Sequence, residues 1–166
     1  ALDFLLMHRG GLFPSIPIVF CGINDFNPSR IAGHKDITGV NETLDIAETV
    51  AIALRLHPKA KHLAAVMSDH QAHWRATANA FRRVIPAFSE RVKIQEIENL
   101  TIADAPSVLR AISRDSIVLS LADLLEDGNK DVDRRRSWRF LSQHSAAPVY
   151  TLWGPSLGNG VVGGKM

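Results

Sequence analysis

From residue 41 onward the apolar positions alternate between a helical and an extended period. Leu44, Ala47, Val50, Ala51 and Leu54 recur at helical spacing until Pro58 stops the helix. The run 62–67, HLAAVM, is short and apolar throughout, the pattern of a buried strand. Trp74, Ala78, Phe81, Ile85 and Phe88 then share one helix face, with Pro86 near its end. VKIQEI at 92–97 alternates as a half-covered or edge strand, and Thr101 is placed to cap a helix that turns Ala105, Val108, Leu109 and Ile112 inward. SIVLSL at 116–121 is a continuous apolar strand. Asp131 or Asp133 opens a basic helix with Trp138 and Leu141 inward, PVYTLW at 148–153 is the next strand, and GVVGG a last short one.

Helices alternating with apolar strands predict an α/β fold: a doubly wound parallel sheet with helices on both faces, because right-handed crossovers place helices on each side. This unit occupies residues 41–160. Upstream, ALDFLLMHRGG reads as the tail of an amphipathic helix closed by Gly10 or Gly11, and 16–22 as a strand. A turn-rich linker and a second strand-like piece, DITGV at 36–40, follow. Residues 1–36 are thus expected to be the end of a first lobe of the same kind, 37–40 a crossover hinge, and 161–166 the start of a return. Such a chain is expected to be a fragment of a longer protein, and its partial first lobe, with open strand edges, is expected to be poorly ordered or to pair with a second copy as a homodimer.

Composition narrows the function classes. Of the 166 residues 46% are hydrophobic and 22% charged, which fits an ordinary folded domain rather than a disordered one. Nineteen Lys and Arg against 17 Asp and Glu leave a net charge of +2, too small an excess to imply nucleic acid. The run Arg134–Arg136 spreads around about 200 degrees of a helix and reads as a solvated face. The single cysteine, Cys21, excludes an intrachain disulfide and is expected to be a buried, inert thiol. No stretch approaches the roughly 18 consecutive apolar residues of a membrane span. His70 and His73 form H-x-x-H without acidic or cysteine ligands beside them in sequence, so no metal and no cofactor is expected. GPSLGNG lacks the order of a nucleotide-binding loop, and no nucleophile elbow is present.

The order of these pieces resembles a known family. PIVFCGINDFNPSRIAGHKDITGV is similar to the segment that ends the first lobe in ABC-type substrate-binding proteins of the periplasmic binding protein type I fold, with Gly22, Asp25, Gly33, Thr38, Gly39 and Val40 matching. LRLHPKAKHLAAV resembles the opening of that family's second lobe, and GVVGG its return toward the first. The likeness covers nearly the whole chain, each motif being modest alone. LFPSIPIVFCGIND looks closer to the variant that serves as the extracytoplasmic sensor of bacterial histidine kinases than to the transporter component.

In open parallel sheets a polar ligand binds where strands end and helices begin. That rule selects Asn24 and Asp25; Ser68, Asp69, His73, Trp74 and Arg75; Ala122 and Asp123; and Trp153, Gly154 and Ser156. Each has a plainer reading. Asp25 and Asp69 could cap their own turns, Trp74 is in phase with a core face, and Arg75 could be solvated. Asp123 matches the Asp that meets a ligand amine in the family's amino-acid-binding members, and Trp153 is placed to form an aromatic wall.

The expected function is a non-enzymatic binding domain for a small polar solute such as an amino acid, in a cleft that closes around it. It is expected to belong to a membrane-anchored signalling protein, a histidine kinase by resemblance, and to lie in the periplasm or another extracytoplasmic space. The solute-binding component of an ABC transporter is the alternative within the family. Outside it stands a small α/β enzyme using Asp69 and Asp123. A phosphoacceptor receiver domain fits poorly, because only about eight residues separate the last two strands, too few for its helix.

Overall fold

The computed structural model describes residues 2–24, 26–42, 44–126 and 130–165, so the expectation for Asp25 lies outside the described residues. The chain forms two compact units, Ala1–Thr43 and Leu44–Met166. In the first, helix α1 (Leu2–Leu12) runs through both Gly10 and Gly11 instead of stopping at them. Strands β1 (Ile18–Asn24) and β2 (Ile37–Glu42) pair in parallel. The expected strand start at residue 16 moves to Ile18, whose N–H reaches Asp36 O at 3.0 Å, an interaction the preceding proline cannot make. The connection between the strands contains a short 3-10 turn, Pro28–Ile31, capped by the Asn27 side chain on Ser29 N–H.

DITGV is therefore a paired strand. Gly39 makes that pairing possible: a Cβ there would lie 2.4 Å from the Phe20 ring and 2.5 Å from the Phe20 carbonyl oxygen. The register shifts between Phe20 and Ile23, where Gly22 takes a φ of 70°. Arg9 pairs with Asp36, and Arg30 with Asp3 at 2.6 Å. Cys21 is exposed, against the expectation of a buried thiol, because a two-stranded sheet has too few layers to cover both faces of β1.

The second unit is the doubly wound α/β lobe. Its sheet contains β3 (His62–Met67), β4 (Lys93–Glu98), β5 (Ser116–Ser120) and β8 (Val149–Thr151), all parallel in the order β4-β3-β5-β8. Helices α2 (Ile46–Leu56) and α3 (Ala72–Val84) cover one face, α4 (Ala105–Ala111) and α5 (Arg134–His144) the other. Side chains of the central strands divide by parity. Leu63, Ala65, Met67, Ile117 and Leu119 meet Val50, Leu54, Ala78 and Phe81 on one side. Ala64, Val66 and Val118 meet Leu109, Trp138 and Leu141 on the other.

Several boundaries depart from the periodic reading. The inward face of α2 is carried by Ile46, Thr49, Val50, Ala53 and Leu54, one position away from the predicted Ala47 and Ala51. Helix α4 begins at Ala105, four residues after Thr101; the Thr101 hydroxyl instead accepts from Asp104 N–H at 3.1 Å and donates to its carboxylate at 2.7 Å. Asp133, not Asp131, caps α5, accepting from Arg136 N–H at 3.1 Å. Asp131 belongs to a small antiparallel hairpin, β6 (Leu125–Glu126) with β7 (Lys130–Asp131), which the pattern did not foreshadow. GVVGG supplies only a single bridge, Gly163 to Tyr150, rather than a strand.

Edge strand β4 has three charged side chains, Lys93, Glu96 and Glu98, and Arg82 from α3 reaches both glutamates, Glu96 at 2.7 Å. The interior is where stability concentrates. Phe81→Ala, at a fully buried position, is expected to cost about 3–5 kcal/mol, whereas Leu56→Ala at a 61% exposed one stays within about 0.5 kcal/mol; urea denaturation of the two variants checks the contrast.

Candidate functional site

The topology itself selects one edge of the second unit. From β3 the chain moves outward to β4, then crosses back to β5 on the opposite side of β3, so the strand order reverses between β3 and β5. Helices α3 and α5, which follow those two strands, lie on opposite faces of the sheet. Their separation leaves a crevice beyond the carboxyl ends of β3 and β5. Ser68 through Trp74, Asp123, Asp131, Arg134 and Trp153 all fall there.

After β3, Ser68 is buried and Asp69 exposed. Asn99, just past the end of β4, ties them together. Its side-chain oxygen accepts from Ser68 Oγ at 2.7 Å and from Asp69 N–H at 3.2 Å, and its amide nitrogen donates to Asp69 Oδ1 at 2.8 Å. Asn99 does this from a left-handed backbone, φ 51°, a conformation asparagine tolerates better than other side chains with a Cβ. The Ser68 hydroxyl hydrogen is committed to Asn99, and its oxygen also lies 2.5 Å from His70 Nδ1.

His70 leads on to Asp131, whose Oδ1 lies 2.9 Å from His70 Nε2. The same carboxylate accepts from Gln71 Nε2 at 2.8 Å and from the Trp74 indole N–H, 3.3 Å from each oxygen. One side chain on the β6–β7 hairpin thus contacts the entry to α3 at His70 and Gln71 and, inside its first turn, Trp74. Trp74 is 2% exposed, yet it belongs to neither apolar cluster of the lobe. Its periodic match to Ala78 and Phe81 places it on the correct face, but at the crevice end of the helix. His73 packs against it with ring centroids 4.4 Å apart, and partial burial holds the His73 imidazole below its usual pKa, with Asp131 opposing and Arg134 reinforcing the shift.

The remaining wall is aromatic and charged. Trp153, half-buried, meets Trp74 edge to face with centroids 6.0 Å apart. The Arg134 guanidinium carbon stands 5.4 Å from the Trp74 centroid and 5.5 Å from that of Trp153, within cation–π range of both. Arg134 Nε donates to Asp123 Oδ2 at 3.2 Å. Asp123 is 7% exposed, and burial raises its carboxyl above the usual range; Arg134 opposes that shift, while Asp131 and Asp133 add to it.

The sequence-derived residues therefore separate. Ser68, Asp69, His73, Trp74, Asp123 and Trp153 converge at one edge. Arg75 points its guanidinium back onto the Asp69 carbonyl at 2.5 Å, an intrachain role. Gly154 opens a short 3-10 turn, Gly154–Ser156, in which its carbonyl accepts from Leu157 N–H at 3.1 Å. Asn24 ends β1 in the other unit. The sequence pattern does not mark Asp131, Arg134 or Asn99 as site residues: Arg134 lies in a triplet that reads as a solvated face, and Asp131 stands at a possible helix start. A helix-capping Asp133 would have signalled that Arg134 opens the helix. Among the described residues no group of three or more His, Cys, Asp or Glu is arranged to hold a metal ion.

Asn99→Ala is expected to lose about 1–3 kcal/mol, and Asn99→Gly about 1 kcal/mol less, since glycine removes the hydrogen bonds but not the left-handed conformation; denaturation midpoints of the pair check this. A second expectation concerns pH. A carboxyl whose pKa is raised on folding binds its proton more tightly in the native state, so Asp123 stabilises the fold less as pH climbs above the ordinary Asp value of 3.8. The stability of the native protein relative to Asp123→Asn should fall as pH rises above the ordinary Asp range and level off once the native carboxyl is ionised, as read by urea titrations at successive pH values.

No family model matches the chain, and no curated protein matches it. Among solved structures it is similar to a conserved domain protein from Vibrio cholerae O1 biovar El Tor strain N16961, with a TM-score of 0.55 and 17% identity over 78% of this chain. The chain spans 43% of that protein's length. The likeness establishes the α/β fold.

Proposed function

We propose that this chain is the ligand-contacting part of an extracytoplasmic, periplasmic binding protein type I-like sensor, anchored to the membrane through its parent protein, and that it detects a small polar solute by lobe closure. The observation that carries the reading is the convergence of two indoles and a buried carboxylate, Trp74, Trp153 and Asp123, at the switch point of a parallel sheet. Aromatic walls with one or two directed polar groups are the usual makeup of a small-molecule pocket.

The same geometry argues against the enzymatic alternative. Asp69 is exposed and tied to Asn99, whereas Asp123 is buried and tied to Arg134. Each carboxylate has its own partner on a different segment, so they do not form an activated pair. Signal output in this reading comes from a ligand that contacts the closed form better than the open one. The histidine kinase assignment rests on the resemblance of the segment ending in Asn24 and Asp25, and any kinase activity belongs to another part of the parent protein.

A thermal-shift screen against amino acids, purines, sugars and organic acids tests the proposal. Ligand at a hundredfold excess over its dissociation constant adds about 2.7 kcal/mol and should raise the midpoint by several degrees. Trp153→Ala should abolish the shift while the protein remains folded. A screen in which no class of solute moves the midpoint would overturn the reading.

A further inference from the structure

We propose that Trp74, Trp153 and Asp123 form a cation box that Arg134 fills as a tethered surrogate, and that the ligand is a guanidinium or alkylammonium cation that displaces it. The inference rests on the binding-domain reading above and names the ligand class of the same site.

Three features of the box select positive charge. Its floor is the buried Asp123 carboxylate, and its walls are two indole faces, whose quadrupoles attract cations. The surrounding field has the same sign: Asp131 and Asp133 both act on Asp123 as negative neighbours. The other titratable groups at this edge are Asp69, tied to Asn99, Arg75, turned onto the Asp69 carbonyl, His70, facing Asp131, and His73, packed on Trp74. The fixed cation of the box itself is Arg134.

Arg134 is held in a way that permits exchange. A charge-assisted N–H to carboxylate hydrogen bond ordinarily measures about 2.7–2.9 Å. The Arg134 to Asp123 bond is 3.2 Å and uses only Nε, and the terminal guanidinium nitrogens have no hydrogen-bond partner among the described residues. The side chain is 44% exposed, whereas Asp123 beneath it is 7% exposed. Trp74 is covered although it lies outside both apolar clusters, with Arg134, Trp153 and His73 packed against it. Asp131 holds the indole N–H, so the Trp74 ring keeps its orientation when the guanidinium leaves. A ligand cation entering the box inherits the carboxylate and both rings without rebuilding them.

The test is a titration with methylguanidinium chloride and tetramethylammonium chloride at millimolar concentrations, against sodium chloride and sodium acetate at matched ionic strength. Tryptophan fluorescence and thermal midpoint are both recorded. The native protein should bind the cations weakly and saturably, because the ligand competes with Arg134. Arg134→Ala should bind them at least about tenfold more tightly and regain thermal stability on binding, since the competent empty box is no longer a minor state. Trp153→Ala should lose both effects. Arg134→Gln serves the same purpose if the alanine variant does not fold.

Equal cation affinity in the native protein and the Arg134 variants would overturn the proposal. So would acetate binding to the native protein that disappears in Arg134→Ala; that result makes Arg134 an anchor for anions and leaves the binding-domain reading in place. Absence of any binding here, together with an empty solute screen, would overturn both.

Discussion

Strand β3 is the constraint on which the second unit depends. It is hydrogen-bonded along both edges, to β4 and to β5, and five of its six residues are buried. A strand in that position cannot accept a proline, and its buried residues need an apolar layer above and below. The helices satisfy that demand by splitting between the faces. That split in turn opens the crevice where β3 and β5 end. The site is thus a consequence of how the core is closed.

What holds the crevice in shape is a relay of polar contacts rather than apolar packing. Asn99 joins the ends of β3 and β4, Ser68 passes the connection to His70, and Asp131 gathers His70, Gln71 and Trp74. The Trp74 indole consequently stands on a frame whose parts come from three separate stretches of chain, 68–74, Asn99 and Asp131.

Much of the lobe was legible from periodicity because long apolar strands and amphipathic helices impose their period on the sequence. The strand 62–67 and the inward faces of α3 and α5 could be read directly. The β6–β7 hairpin was not, since strands of two residues carry too few alternations to leave a signal, and Asp131 was hidden with it. Arg134 was obscured for another reason: in a run of three arginines only the fold shows which one faces the strand ends. Cys21 shows the limit of reading burial from apolar neighbours, because an apolar strand is buried only where enough layers exist to cover it. Trp74 illustrates a mixed case, its phase correct but its surroundings at the helix end differing from those of Phe81.

The charged outer strand of the lobe bears on behaviour in concentrated solution. An open parallel sheet offers a row of unpaired backbone groups along β4, a template on which another chain could add a strand. Glu96 and Glu98, bridged by Arg82, place fixed charge along that margin, and any added strand would have to strip water from all three. The Arg82 clasp therefore acts as a barrier to sheet growth from copy to copy, and reversing either glutamate's charge would remove the clasp while leaving the core packing untouched.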